Sequence, residues 1–170
     1  VYKRQLKVLA GYFRSSDLRN TVVVSPDLGN AKSASQFARL LRVPVAAGSK
    51  QRLSDEEVVV DTIVGEVEGK NAIVLDDEIA NGSTVRGIIE RLREHGVARI
   101  SVACTHGLFT GRSIEWLAAQ PDIVEIVTTN TVPIPPEKRL PNMTILSVAP
   151  LLAETIQRIH NGESVSSLFA

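Results

Sequence analysis

The chain has 170 residues, 44% of them apolar and 22% charged, which suits a compact domain with a buried core and excludes a disordered segment. Nineteen basic and nineteen acidic side chains cancel, so the broad basic footprint of a protein that coats nucleic acid is missing. The single cysteine, Cys104, excludes a disulfide framework within the chain and sits in the apolar run "ISVAC", where a buried thiol is expected.

In chain order, Val- and Ile-rich runs at 21–25, 43–48, 71–76, 99–104, 124–129 and 143–148 have the shape of strands buried on both faces. Between them, residues 30–42 place Ala31, Ala34, Ala38 and Leu41 on one side of a helix. Residues 83–96 align Val85, Ile88, Ile89 and Leu92 at helical spacing, with Ser83 and Thr84 at the start and Gly96 at the end. Further helices are expected at 111–119 and 150–160. The alternation predicts an α/β fold: three layers, with a mainly parallel sheet flanked by helices. The proline-rich "VPIPPEKRLPN", 132–142, reads as a loop. No apolar run approaches the roughly 18 residues of a membrane span, and "VYKRQLKVLAGYF" has no secretory core, so the reading is cytoplasmic, with no membrane and no nucleic-acid partner.

Ligands of such sheets collect where strand ends lead into helix N-termini. That directs attention to three loops, "SPDLGNAKS", "GSKQRLSDEE" and "DDEIANGST". In the last, Asp76 and Asp77 close a strand whose successive side chains alternate between faces, so a ligand or solvent must reach at least one of them. Ala80, Asn81, Gly82, Ser83 and Thr84 follow, with a glycine for close approach and amides at a helix start, an arrangement that holds phosphate. Acids in front of a phosphate cup repel it unless they bind another part of the ligand, such as sugar hydroxyls, or a divalent cation. A phosphorylated sugar satisfies both ends; an ordinary strand-to-helix turn with a capping Asp is the alternative. Asp27 in "SPDLGN" suits either a hard cation or a turn after proline. Lys50 and Arg52 suit either charge stabilisation over a transferring phosphoryl group or a solvated mixed-charge loop.

"IVLDDEIANGST" resembles the ribose-phosphate signature of the phosphoribosyltransferase fold. With "VVVSPDLGNAKSA", "AGSKQR", "IVGEVEGKNAIVLDDE", "CTHGLFTG", "TTNTVPIP" and "LSVAPLLAETIQRIHNGESVSSLF" in order, the chain from about Leu9 to Phe169 resembles the C-terminal half of the ribose-phosphate pyrophosphokinase family. The resemblance implies transfer of the diphosphoryl group of ATP to the anomeric hydroxyl of ribose 5-phosphate, with Mg²⁺, in a homo-oligomer. It implies ribose hydroxyls at Asp76 and Asp77, the 5-phosphate at Ala80 to Thr84, metal at Asp27 and a mobile catalytic loop carrying Lys50 and Arg52. It also implies an effector site at Ser164, Ser166 and Phe169.

Two departures accompany it. The family commonly has an acid at the position of Ala80 and Thr-x-Gly-Thr after it, so phosphate binding, which uses backbone amides, is expected to outlast catalysis here. Ser83 in place of a glycine should also narrow the angles open to the turn. The family enzyme is about twice as long, with an N-terminal half that supplies most adenine-binding residues and a metal-binding histidine. Because the chain starts at Val1, it reads as one domain, 1–170, of a longer enzyme, with 1–8 as boundary sequence and little activity alone. A phosphoribosyltransferase and a non-catalytic regulatory homologue are the alternatives. Of the rest, His106 and His160 are expected in hydrogen bonds near turns, His95 as a helix-end charge, and Trp116 in packing. No histidine pair has zinc-ligand spacing.

Overall fold

In the computed structural model, which describes residues 2–52 and 58–168, the run "TVVVS" becomes β1 (Thr21–Ser25), buried along its whole length. Its neighbours are β2 (Val45–Arg52) and β4 (Asn71–Ile79), both parallel to it. β4 pairs with β5 (Arg99–Gly107), β5 with β6 (Ile123–Thr129) and β6 with β7 (Met143–Leu146), all parallel. The antiparallel β3 (Val58–Val64) completes a seven-stranded sheet of order β3-β2-β1-β4-β5-β6-β7.

Each face of the sheet carries its own apolar cluster. On one lie α1 (Tyr2–Phe13) and α2 (Ala31–Leu41), whose Leu6, Leu9, Ala10, Phe13, Phe37 and Leu41 cover Val23, Ile73, Leu75 and Ala103. On the other, α3 (Ser83–Glu94) sets Val85, Ile88, Ile89 and Leu92 against Val22, Val74, Val102 and Ile126, with Leu117 of α4 (Ser113–Ala118) beside them. Consecutive odd and even strand positions fall into opposite clusters, as the two-residue strand period requires. The expected three-layer α/β architecture is therefore present. α5 (Ala149–His160) has no buried residue and leaves Leu152, Ile156 and Ile159 exposed along one side.

Three differences from the sequence expectation have physical causes. α1 was not expected, yet its apolar residues recur at helical spacing, and Leu6, inside the segment read as boundary sequence, is 4% exposed in the core. β4 and β5 run three residues past their expected ends because they keep pairing with each other, to Ile79 opposite Gly107, after β1 has stopped. "GSKQR" is strand, not loop: β2 continues through Arg52 because β3 pairs against it, with a register shift between Ser49 and Lys50.

Connection handedness places the functional end of the sheet. From β1 the chain moves through α2 on one face to β2; from β4 it moves through α3 on the other face to β5. Right-handed crossovers in opposite directions demand opposite faces, so the loops leaving β1 and β4 diverge and open a crevice between them.

Gly107 tests the packing beneath that crevice. A Cβ there would lie 2.4 Å from Phe109 Cε2 and 2.9 Å from Thr128 Oγ1, whereas Gly11, in α1, has nothing within 4 Å. Thermal melts should show Gly107→Ala destabilised by about 1–3 kcal/mol and Gly11→Ala stabilised by about 0.5–1 kcal/mol.

Candidate functional site

The crevice collects two of the three loops singled out from sequence. After β1, Ser25 Oγ donates to the Asp27 carbonyl at 2.6 Å, and Asp27 Oδ1 accepts the Asn30 amide at 3.0 Å, which folds the loop tightly into α2. The Asn30 side chain then donates to the Leu75 carbonyl at 3.0 Å and ties this loop to the end of β4. Asn30 was missed in the sequence because an Asn at a helix start is an ordinary cap, and here it caps nothing.

At the end of β4, Asp76 is half-buried and Asp77 is exposed. Strict alternation would send them to opposite faces, but the Asp77 amide donates to Asp76 Oδ1 at 2.9 Å, and the Asp77 carboxyl is near enough to act on Asp76. Burial first, then the Asp77 carboxyl, with a smaller repulsion from Asp27, pushes Asp76 up to about 7. Asp77 and Asp27 thus both oppose the ionisation of Asp76.

Next to them, Asp76, Glu78 and residues 79–85 line a cavity of about 210 Å³. Gly82 takes the left-handed conformation, φ +78°, and Ser83 begins α3 with no side chain capping it. The position that needs glycine is therefore Gly82, and the restriction expected at Ser83 does not arise. No Asp caps the helix, either; Asn81 Oδ1 accepts the Ser83 amide at 3.0 Å. With that first amide held by Asn81 and no side chain bonded from the N-cap Gly82, the α3 N-terminus borders the cavity, an arrangement that suits an anion. A larger groove, about 790 Å³, lies at the other end of the sheet around Gly65, Lys70 and His95, away from these groups.

The remaining candidates fall elsewhere. The backbone of Lys50 and Arg52 lies in β2, but their side chains, and all of Phe169, lie outside the described residues. Ser164 and Ser166 are exposed beyond α5, where Ser164 accepts from Arg158 at 3.2 Å. The tail reaches α1 through Lys7 Nζ donating to the Leu168 carbonyl at 3.4 Å. His106 Nδ1 bonds to Thr131 Oγ1 at 2.9 Å, and His95 Nδ1 to the Arg91 carbonyl at 2.8 Å at the end of α3. Arg86 stacks over the Trp116 ring at 5.0 Å. Burial pushes the Cys104 thiol up to about 12, which removes it as a nucleophile. No helix among the described residues is long and apolar enough to cross a membrane.

A family model, the phosphoribosyl synthetase-associated domain, matches residues 56–170. The chain belongs to the phosphoribosyl synthetase family. Family relatives include a Streptomyces coelicolor protein provisionally named a ribose-phosphate pyrophosphokinase, 56% identical over 96% of this chain and 52% of its own length. The ribose-phosphate pyrophosphokinase of Synechococcus elongatus is 43% identical over 95% of this chain and 49% of its own. The crystal structure of phosphoribosylpyrophosphate synthetase from Mycobacterium smegmatis superposes with a TM-score of 0.83 at 38% identity, covering 93% of this chain and 51% of that one. A purine phosphoribosyltransferase from Pyrococcus horikoshii, 21% identical with a TM-score of 0.55 over 82% of this chain and 90% of its own, shares the fold. The sheet and its helices are thus phosphoribosyltransferase-like. The chain spans about half the length of the curated relatives it matches.

The raised Asp76 carboxyl makes stability depend on pH. Its folded value, about 7, lies above the ordinary 3.8, so its contribution to folding is complete below about pH 4 and is lost as pH rises through 7. Circular-dichroism melts should show Asp76→Asn gaining stability relative to the unsubstituted chain on going from pH 4 to pH 8. An identical difference at both values would contradict the assignment.

Proposed function

We propose that the chain is the ribose 5-phosphate-binding and catalytic-loop portion of a ribose-phosphate diphosphokinase. That enzyme would transfer the diphosphoryl group of ATP to ribose 5-phosphate and release AMP. The observation that carries this reading is that Asp76, with Asp77 acting on it, lines the same cavity as the α3 N-terminus. One end accepts hydroxyl protons and the other donates amides to an anion, and ribose 5-phosphate has both kinds of group at a matching separation of roles. The names of relatives 43% identical over 95% of the chain support the same reaction.

In this reading the turn from Ala80 to Thr84 holds the 5-phosphate through backbone amides, and Asp76 and Asp77 take the ribose hydroxyls and orient the anomeric oxygen. That oxygen passes its proton to the Asp76–Asp77 pair and attacks the β-phosphorus of ATP; the bond from that phosphorus to the bridging oxygen of AMP breaks, and AMP leaves with the electron pair. Lys50 and Arg52, carried on the β2–β3 arm, neutralise charge spread over the phosphoryl oxygens. The donor set fits Mg²⁺. Asp27, Asp76 and Asp77 supply hard carboxylate oxygens, and burial together with the neighbouring acids raises Asp76, a cost that a bound cation would offset. Among the described residues no group of three or more His, Cys, Asp or Glu forms a cage by itself, which suits an ion held by one or two carboxylates together with substrate phosphates. When bound, the ion would neutralise charge on the diphosphate.

Ala80 favours one second reading. It lines the cup without a carboxylate, as in a homologue that binds the sugar phosphate and regulates active subunits. The two are separated by measurement. Calorimetry should show ribose 5-phosphate binding that weakens about tenfold in Asp77→Ala, the loss of one charge-assisted hydrogen bond. Absence of binding would remove the sugar-phosphate site. Joined to the N-terminal half of the Synechococcus elongatus relative, the chain should release AMP from ATP, ribose 5-phosphate and Mg²⁺, with Lys50→Ala and Arg52→Ala as the inactive controls. Binding without AMP release above those controls would favour the regulatory reading.

A further inference from the structure

The cup does not stand alone: the segment after β5 holds its backbone from behind. The amides of Leu108 and Phe109 both donate to the Ile79 carbonyl at 3.0 Å, and the Thr110 amide donates to the Ala80 carbonyl at 2.9 Å. The peptide bonds are trans, so each carbonyl opposes the next residue's N–H. With the carbonyls of 79 and 80 turned to this segment, the amides of Ala80 and Asn81 are aimed away from it. The cavity is lined by Asp76, Glu78 and 79–85, with no residue of 107–113 among its lining, which fits a cavity on the face of the turn that those amides present.

The segment itself is anchored at three places. The Phe109 ring, 1% exposed, occupies the space over Gly107, and Phe109 adopts φ +47° to place it there. Ser113 Oγ donates to the Thr110 carbonyl at 2.9 Å. The half-buried Lys138 donates from Nζ to the Phe109 carbonyl at 2.9 Å. Lys138 ends a short 3₁₀ turn, Pro136–Lys138, in the proline-rich loop, whose Ile134 is buried and whose Arg139 Nε donates to the Ile134 carbonyl at 3.0 Å. Proline restricts the loop, so the ammonium is delivered from a stiff mount.

One peptide unit links the two sides. Its oxygen, on Phe109, accepts the Lys138 ammonium, and its N–H, on Thr110, donates to the Ala80 carbonyl. A cation on the oxygen polarises that unit and strengthens its N–H as a donor; the Ala80 carbonyl passes the same polarisation to the Asn81 amide. We propose that Lys138 is a positioning residue for the phosphate-binding turn, aligning and polarising the Asn81 amide through the Phe109–Thr110 peptide. The proposal rests on the sugar-phosphate reading of the cup.

The test compares the full chain with Lys138→Met, which keeps length and removes the charge, and Lys138→Arg, which can donate again. Calorimetry with ribose 5-phosphate and, separately, inorganic phosphate should show both affinities falling about tenfold in Lys138→Met and recovering to within about threefold in Lys138→Arg. Without any ligand, hydrogen exchange of the Thr110 amide should quicken about tenfold in Lys138→Met. If the methionine variant lacks the wild-type circular-dichroism spectrum, Lys138→Gln replaces it with the same expectations. A structural role alone would lower the melting temperature and leave phosphate affinity unmoved. Unchanged affinities beside a wild-type chain that binds overturn the positioning role and leave the sugar-phosphate reading intact. Failure of the wild-type chain to bind either ligand overturns that reading and the positioning role together.

Discussion

The parallel pairing of β1 with β4, Thr21 opposite Asn71 through Val24 opposite Val74, is the contact from which the rest of the molecule follows. It joins two strands whose onward connections run in opposite directions, through α2 to β2 and through α3 to β5. Because parallel crossovers are right-handed, α2 and α3 must take opposite faces, and two apolar clusters form, one under each. The crevice above the pair exists because no single helix can cover both strand ends. Asp27 and the β4 acids reach it from adjacent strands with no special device beyond the Asn30 tie to Leu75.

That crevice stores an electrostatic cost. Asp76 is held beside Asp77 and within reach of Asp27, in a place where burial already opposes its ionisation. A domain selected only for stability would place a hydrophobe or a basic partner there. The acids lie directly next to the α3 N-terminus, so the two halves of the crevice have opposite polarity within one short stretch of chain. That polarity, more than any single side chain, is what suits the crevice to the ligand proposed for it, with hydroxyls at one end and an anion at the other.

The anion end proposed for the crevice is made of backbone, which explains how it accommodates Ala80, Asn81 and Ser83. The conformation depends on Gly82 at φ +78° and on carbonyls 79 and 80 being occupied from behind by the amides of 108–110. Side chains in the turn can then vary while its amides keep their direction. Phe109 contributes bulk beneath the sheet, and the close fit of its ring over Gly107 makes that glycine as much a part of the cup's support as residues that line it.

Much of this was legible from one sequence. Short Val- and Ile-rich runs and helix-spaced Val85, Ile88, Ile89 and Leu92 are local patterns, and local patterns determine element type and therefore the layered α/β class. The ordered acids, glycine and hydroxyls of 76–84 pointed to the strand-to-helix turn and the cavity beside it, where the ligand site is proposed, since the chemistry of such a turn is local as well. α1 was available in the spacing of Leu6, Leu9, Ala10 and Phe13, and β3 in "VVVDTIV", though neither was read. What tertiary structure alone decided depends on contacts between distant segments. β2 remains strand through Arg52 because β3 folds back on it; Asp27 acts on Asp76 because β1 and β4 are neighbours; and Lys138 reaches residue 79–80 backbone only through residues 108–110, which packing of Phe109 and hydrogen bonds to the end of β4 hold in place. A sequence specifies such encounters only through the whole sheet, and no short window of it contains both partners.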